Sequence, residues 1–159
     1  MNAPTLPSSL IDIAAIEAAK RAADMERFFP DVDPGIDPCG SRVLVQIRTF
    51  QTRTAGGIIT VQESREIEKW NTQIGRVVAV GPLAFCNRDS AQRWTEGAWC
   101  EVGDFVRAIK WGGDRWEMPI PNRPKDETAM FLICNDLDII GKVKKTADPL
   151  TITAFNMNL

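Results

Sequence analysis

The side chains able to hold a metal or act as nucleophiles are few in this chain and widely spaced. The sequence has four cysteines and no histidine. Cys39, Cys86, Cys100 and Cys134 form no CxxC pair, and without histidine the usual mixed zinc sites are impossible. Every histidine-based acid, base or triad is excluded for the same reason. We therefore expect free thiols in the core or in strands, and no cofactor.

Other catalytic motifs are also missing from the sequence. There is no nucleophile elbow, phosphate loop or carboxylate pair. The stretch DVDPGIDP, residues 31–38, has three aspartates but lacks the other ligands of a calcium loop, and its prolines favour an extended linker. The sequence thus predicts a protein that works by binding and is not an enzyme.

Composition narrows the classes of partner. A chain of 159 residues predicts one core domain with short extensions. The net charge of −2, with acidic and basic residues mixed, argues against a nucleic-acid surface. No apolar run approaches the roughly 20 residues needed to cross a bilayer. The N-terminus lacks the features of a secretory signal, so we expect a cytoplasmic protein that contacts no membrane.

Two predicted strands frame the stretch that is the best candidate for binding. Arg42 to Ile47 alternates in the manner of a half-buried strand, and Arg76 to Val80 repeats its β-branched character. Between them, residues 49–73 are mostly small, polar or charged. This loop has too little apolar surface to offset the entropy of ordering its backbone, so we expect it to be mobile in the isolated protein.

One short patch interrupts the polarity of this loop and is a candidate docking segment. Its glycines free the backbone, and its aliphatic residues have high strand propensity. The alternative is an ordinary hairpin in which the glycine pair forms the turn and the aliphatic residues form a strand of the same sheet. The docking segment consists of Gly56, Gly57, Ile58, Ile59, Thr60 and Val61.

Several stretches, in their order and approximate spacing, resemble the GroES co-chaperonins. The resemblance covers roughly residues 37–143. The stretches are Arg42–Val45, Thr52–Ile59, Gly75–Gly81, Val102–Val106, the pair Gly112-Gly113, Phe131–Cys134 and Asp138–Val143.

This resemblance implies an all-β fold, a GroES-like irregular β-barrel with a mobile loop, to which the sequence adds a short N-terminal helix. It implies a heptameric dome that caps a GroEL-type chaperonin ring, with residues 56–61 binding the chaperonin. The ATP is hydrolysed by the chaperonin, and the enclosed client is an unfolded protein, a capsid protein being one candidate. Thr60 stands where the family usually has a third aliphatic residue.

Two extensions and two inserts enlarge the chain beyond the family pattern. The extensions are residues 1–36 and 144–159, around a barrel at 37–143, and the inserts are residues 83–101 and 112–129. Such elaboration resembles the divergent co-chaperonins carried by bacteriophages, which would place the protein in the host cytoplasm.

The N-terminal extension contains a predicted helix through IDIAAIEAAKRAADMERFF that stops before Pro30. The helix either packs on its own barrel or docks to another protein. The C-terminal extension ends in TITAFNMNL, whose interleaved apolar and polar residues suggest a strand that adds to a neighbour.

Each insert has its own expected conformation. Residues 83–101 occupy the place of the family's roof hairpin, with a turn at Glu96-Gly97; the alternative is a surface loop whose tryptophans cover the barrel. Residues 112–129 contain Pro119, Pro121 and Pro124, which favour an extended, exposed path.

Three later strands are predicted around these inserts. Phe105 to Trp111 follows the first insert, and Met130 to Cys134 and Leu137 to Val143 close the barrel as buried strands.

A rival function belongs to another class of protein. The same barrel, with long ends that hold its neighbours, would suit a structural or decoration protein of a virus particle. Mass spectrometry of purified particles distinguishes the two, because only a structural component is present in stoichiometric amount.

Overall fold

One antiparallel sheet preceded by one helix makes up the part of the chain that the computed structural model describes, residues 8–49 and 73–150. The strand order is β4-β5-β1-β2-β3-β6. This confirms the prediction of a β fold with a short N-terminal helix. The elements are α1 (Ser8–Phe28), β1 (Arg42–Ile47), β2 (Ile74–Val80), β3 (Phe105–Ala108), β4 (Asp114–Pro119), β5 (Thr128–Asn135), a 3-10 turn (Asp136–Asp138) and β6 (Ile139–Lys142).

Strand β1 lies at the centre of the sheet and is buried on both faces. The sequence correctly predicts its bounds, but the expectation of a half-buried strand is wrong, because Leu44 and Gln46 are as buried as Val45. Val45 belongs to a larger apolar cluster on one face, whereas Leu44 packs with Phe131 on the other. The second face is covered by residues distant in sequence, among them Val32, Trp116 and Ile120.

The proline-rich insert contains a strand that the sequence analysis did not predict. β4 pairs with β5 in continuous register from Asp114 opposite Ile133 to Pro119 opposite Thr128. Pro119 is tolerated because it is the last residue of a strand at the edge of the sheet, a position where proline is commonly found. Residues 114–119 are therefore extended, as expected, but they pair in the sheet, and Trp116 and Met118 are half-buried.

The strands next to the other edge are shorter and more exposed than expected. β3 ends at Ala108, and Trp111, predicted to lie in this strand, is 75% exposed. In β6 only Ile139 is buried, while Ile140 is 61% exposed. The prediction of a buried final strand is wrong because β6 lies at the sheet edge and turns one face outward.

Helix α1 stops before Pro30 as predicted, and its last residue is Phe28, one residue before the predicted end at Phe29. Its C-terminal end packs on the sheet: Phe29, the residue after the helix, is buried with its ring edge-on to Phe105 at 5.0 Å. Residues 12–23 are exposed on all sides. Within the described ranges, no helix is both long enough and apolar enough to cross a membrane.

Candidate functional site

The residues predicted to bind a partner, Gly56, Gly57, Ile58, Ile59, Thr60 and Val61, lie outside the described residues. The structure describes the point where the two flanks of this stretch lie, Thr49 after the end of β1 and Gln73 before the start of β2. We call the side chains that surround this point the loop root. The loop root consists of Phe28, Gln46, Arg48, Thr49, Gln73 and Arg76.

The sheet itself provides a rigid base for the loop root. Ile47 at the end of β1 pairs with Gly75 in β2, and Ile47 and Ile74 are both buried. A side chain at Gly75 would overlap Val45, because a Cβ atom there would lie 2.4 Å from its Cγ1. Glycine at this position thus lets β2 approach β1 closely, so the two chain ends of the loop start side by side.

The returning end at Gln73 is fixed by β3. The backbone N–H of Ala108 donates to the Gln73 carbonyl at 2.9 Å. The Gln73 side-chain oxygen accepts from Nε and Nη2 of Arg107, at 3.2 and 2.8 Å. The two side-chain hydrogen bonds fix the position of the Gln73 amide. The backbone hydrogen bond extends the β2–β3 pairing by one residue.

The departing end at Thr49 is fixed by the N-terminal extension. The backbone N–H of Thr49 donates to the carbonyl of Phe28 at 2.8 Å. The guanidinium carbon of Arg48 lies 4.3 Å from the centre of the Phe28 ring, within the range of a cation–π contact. Nη1 of Arg48 also donates to the carbonyl of Leu150 at 3.0 Å, so one side chain contacts both extensions.

The buried amide of Gln46, two residues before Arg48, completes the loop root. Nε2 of Gln46 donates to the carbonyl of Pro30 at 2.6 Å, and its Oε1 accepts from Nη2 of Arg76 at 2.8 Å. Gln46 is 1% exposed, and these two contacts give its amide a partner on each side. Pairing of this kind offsets the cost of removing a polar group from water.

The first insert, residues 83–101, is a series of turns anchored by aromatic residues. A single bridge joins Cys86 to Arg93, and no strand flanks the turn at Glu96-Gly97. Trp94 and Trp99 pack on the core next to Phe85, with ring centres 5.6 and 6.1 Å from that ring. The alternative of a loop whose tryptophans cover the barrel is the one observed, and the expected hairpin is not.

The cysteines are all free thiols, and two of them are buried as expected. Burial, with a smaller contribution from Asp104, raises the pKa of Cys100 to about 11. Burial, reinforced chiefly by Asp138, raises the pKa of Cys134 to about 12. Both thiols are therefore protonated at neutral pH, which makes them poor nucleophiles and poor metal ligands. Among the described residues, no three His, Cys, Asp or Glu side chains group as a metal site would require.

The sequence analysis predicted a loop between β1 and β2 but missed the side chains of the loop root. Arg48 was assigned no role, and Phe28 and Phe29 were included in the predicted helix without being assigned a contact. The only available signal was the run FFP that ends the helix, since two adjacent large apolar residues before a proline need a surface to cover. Nothing in the sequence indicates which surface that is.

Comparison with known proteins gives two findings. Residues 35–143 match the family model of the chaperonin 10 Kd subunit. The chain is also similar to the co-chaperonin GroES of Lactobacillus delbrueckii subsp. bulgaricus, with 29% identity over 109 residues. That alignment covers 69% of this chain and 99% of the relative. The matched region contains the whole sheet and excludes α1.

Proposed function

This chain belongs to the family of the chaperonin 10 Kd subunit, and from that membership we propose that it is a co-chaperonin. It caps a GroEL-type chaperonin ring and assists the folding of client proteins. It has no catalytic role of its own, because the ATP is hydrolysed by the chaperonin.

The observation that carries the proposal is the extent of the family match. It runs from residue 35 to residue 143 and so includes all six strands and both ends of the loop. The relative is matched over 99% of its length, so this chain contains the counterpart of that whole protein. The comparisons favour this role over the virus-particle protein considered above.

We place the contact with the chaperonin at the docking segment, residues 56–61. Burying Ile58 and Ile59 would contribute about 1.5 to 3 kcal/mol each. Ordering a flexible segment on binding costs about 2 to 5 kcal/mol. The two terms are of similar size, so a single copy binds weakly and is easily released.

Assembly into a ring converts weak single contacts into firm capping. When several docking segments belong to one particle, each later contact forms within the complex, which raises avidity by roughly 100-fold to 10,000-fold. We propose a heptamer. Seven copies of the 17.7 kDa chain give a particle of about 124 kDa.

The test replaces one isoleucine by a charged residue. Ile59→Asp is expected to abolish chaperonin binding, because a buried carboxylate without a partner costs more than one docking contact supplies. The control is Val102→Asp, a change of the same kind at a side chain that is 65% exposed in the β2–β3 connection. Binding is measured by co-sedimentation with chaperonin and nucleotide, and the ring mass by analytical ultracentrifugation.

Three results would each contradict the proposal. They are normal capping by Ile59→Asp, equal loss of binding in both variants, and a wild-type protein that sediments only as a monomer at micromolar concentration.

A further inference from the structure

We propose that the N-terminal extension and the C-terminal tail position the loop through the loop root and thereby set the affinity of docking. This inference rests on the proposed function. The positioning residues are Phe28 in the N-terminal extension and Arg48 at the end of β1, which joins Phe28 to Leu150 in the C-terminal tail.

Both extensions lie outside the matched family region, yet they meet at one place. Residues 35–143 match the family, so neither Phe28 nor Leu150 belongs to the common barrel. Both extensions contact the same residue, Arg48, which lies next to the loop. The Arg48 guanidinium lies 4.3 Å from the centre of the Phe28 ring and donates to the Leu150 carbonyl at 3.0 Å.

Neighbouring contacts make this arrangement specific to the departing end of the loop. The Thr49 N–H donates to the Phe28 carbonyl, so the last described residue before the loop is itself bound to the N-terminal extension. The Gln46 amide donates to the carbonyl of Pro30, two residues further along the same extension. Phe28 and Pro30 of the N-terminal extension are thus each hydrogen-bonded to residues in or next to the end of β1.

Further contacts hold α1 above the loop root. Nη1 and Nη2 of Arg123 donate to the carbonyls of Arg27 and Glu26, at 3.0 and 3.1 Å. These carbonyls are in the last turn of the helix, where the backbone acceptors have no partner within the helix. The end of α1 is therefore fixed to the β4–β5 connection as well as to β1.

A fixed root changes docking because it removes part of the entropy that docking must otherwise overcome. A segment whose two ends are already held in place loses less conformational freedom when it binds. Loosening the departing end adds to the ordering cost of every copy in the ring. Because every chain of the assembled cap carries the same change, a small loss of docking free energy in one chain becomes a larger loss for the whole cap.

The experiment compares two substitutions of Phe28. Phe28→Leu keeps an apolar side chain but removes the ring beneath Arg48, whereas Phe28→Tyr keeps the ring. The free energy of a cation–π contact at a partly exposed site corresponds to roughly a two- to fivefold change in an equilibrium constant per contact. For the assembled ring we expect Phe28→Leu to raise the apparent Kd for chaperonin at least about fivefold and to speed hydrogen exchange of the Thr49 amide. Phe28→Tyr should match the wild type in both measurements.

A truncation separates positioning from direct contact by the helix. Deleting residues 1–20 removes the exposed part of α1 and leaves the loop root in place, so it should leave the apparent Kd within about twofold of the wild-type value. A truncation as damaging as Phe28→Leu would mean that the helix itself touches the partner, and would overturn the inference.

Other outcomes also decide the matter. Two results would show that Phe28 serves the fold and would overturn the inference. One is an equal weakening of chaperonin binding by Phe28→Leu and Phe28→Tyr, and the other is a failure of Phe28→Leu alone to assemble into the heptamer. If Phe28→Leu binds as the wild type does while Ile59→Asp fails to bind, the inference fails and the proposed function stands. If the wild type does not bind chaperonin, the proposed function itself is wrong.

Discussion

The first insert and the loop root both lie where the chain runs beyond the family's barrel strands, and different kinds of contact hold them in place. Residues 83–101 are held by their own aromatic side chains, with Phe85 buried against Trp94 and Trp99. The loop root is held by residues from the two extensions, β2 and β3, through hydrogen bonds and one cation–π contact. The insert therefore belongs to the hydrophobic core, whereas the loop root is a set of mostly polar contacts between segments distant in sequence.

This difference determines what each region can do. Burial of large apolar side chains is the dominant favourable term in folding, so disturbing the insert should disturb the whole barrel. A polar contact contributes less net free energy, because its groups also bond to water in the unfolded chain. The loop root can thus be loosened or tightened while the barrel stays folded, as the adjustment of a docking affinity requires.

The largest expected effect is at Phe85, which is 1% exposed. Phe85→Ala leaves a cavity beneath the two tryptophans and should lower the free energy of unfolding by about 3 to 5 kcal/mol. Urea unfolding followed by tryptophan fluorescence measures the change. Trp111→Ala, at a side chain that is 75% exposed, should change the free energy of unfolding little. A loss below about 1 kcal/mol for Phe85→Ala would remove the contrast between the two regions.

An intermediate effect is expected within the loop root at Gln46. Gln46→Ala leaves the Pro30 carbonyl without its amide donor and deprives Arg76 of an acceptor, which should lower the free energy of unfolding by about 1 to 3 kcal/mol. Gln92→Ala, at an exposed position in the first insert, is the matched control. A cost as large as that of Phe85→Ala would show that the loop root is as central to the barrel as the insert.

The smallest expected effect depends on pH and lies where the first insert rejoins the sheet. Oδ2 of Asp104 lies 2.6 Å from Nζ of Lys142 and accepts from the Glu101 N–H at 2.8 Å. Burial alone would raise the pKa of Asp104, but the hydrogen bonds from Lys142 and the Glu101 backbone outweigh it and hold the pKa below the usual value of 3.8.

The stabilisation from Asp104 is therefore complete above its unfolded pKa and is lost as the pH falls through the lower folded pKa. Because the pair is partly exposed, we expect it to contribute no more than about 1 kcal/mol. Asp104→Asn should cost this amount at pH 7 and almost nothing near pH 2, as measured by urea unfolding at each pH. An equal cost at both pH values would mean that the carboxylate charge has no role.

The sequence-based predictions agree with the structure where a short-range pattern decides the conformation, and they fail where contacts between distant residues decide it. β1 was predicted with its observed bounds, and most of β2 was predicted, because both have β-branched residues in a regular pattern. β4 was missed because Asp114, Glu117 and Pro119 lower its strand propensity, and its pairing with β5 compensates for that deficit. Burial of Leu44 and Gln46 could not be predicted either, because the residues that cover them are far away in sequence.

For the candidate site, the sequence located the docking segment at residues 56–61, which remains a prediction. The loop root was not found at all. Each of its contacts joins residues distant in sequence, such as Arg48 to Leu150 and Gln46 to Pro30. Local pattern carries no information about such pairs.

The sequence by itself determined the class of this protein, a β fold of the GroES type without histidine chemistry, and the two strands, β1 and β2, between which the docking segment is predicted to lie. These properties are encoded in residue types and short-range periodicity, which act on the backbone wherever the chain lies. Only the tertiary structure decided that the two extensions meet at Arg48 and that the first insert is part of the core. The physical reason is that burial and side-chain pairing depend on which distant segments are brought together, and this is fixed only when the whole sheet has formed.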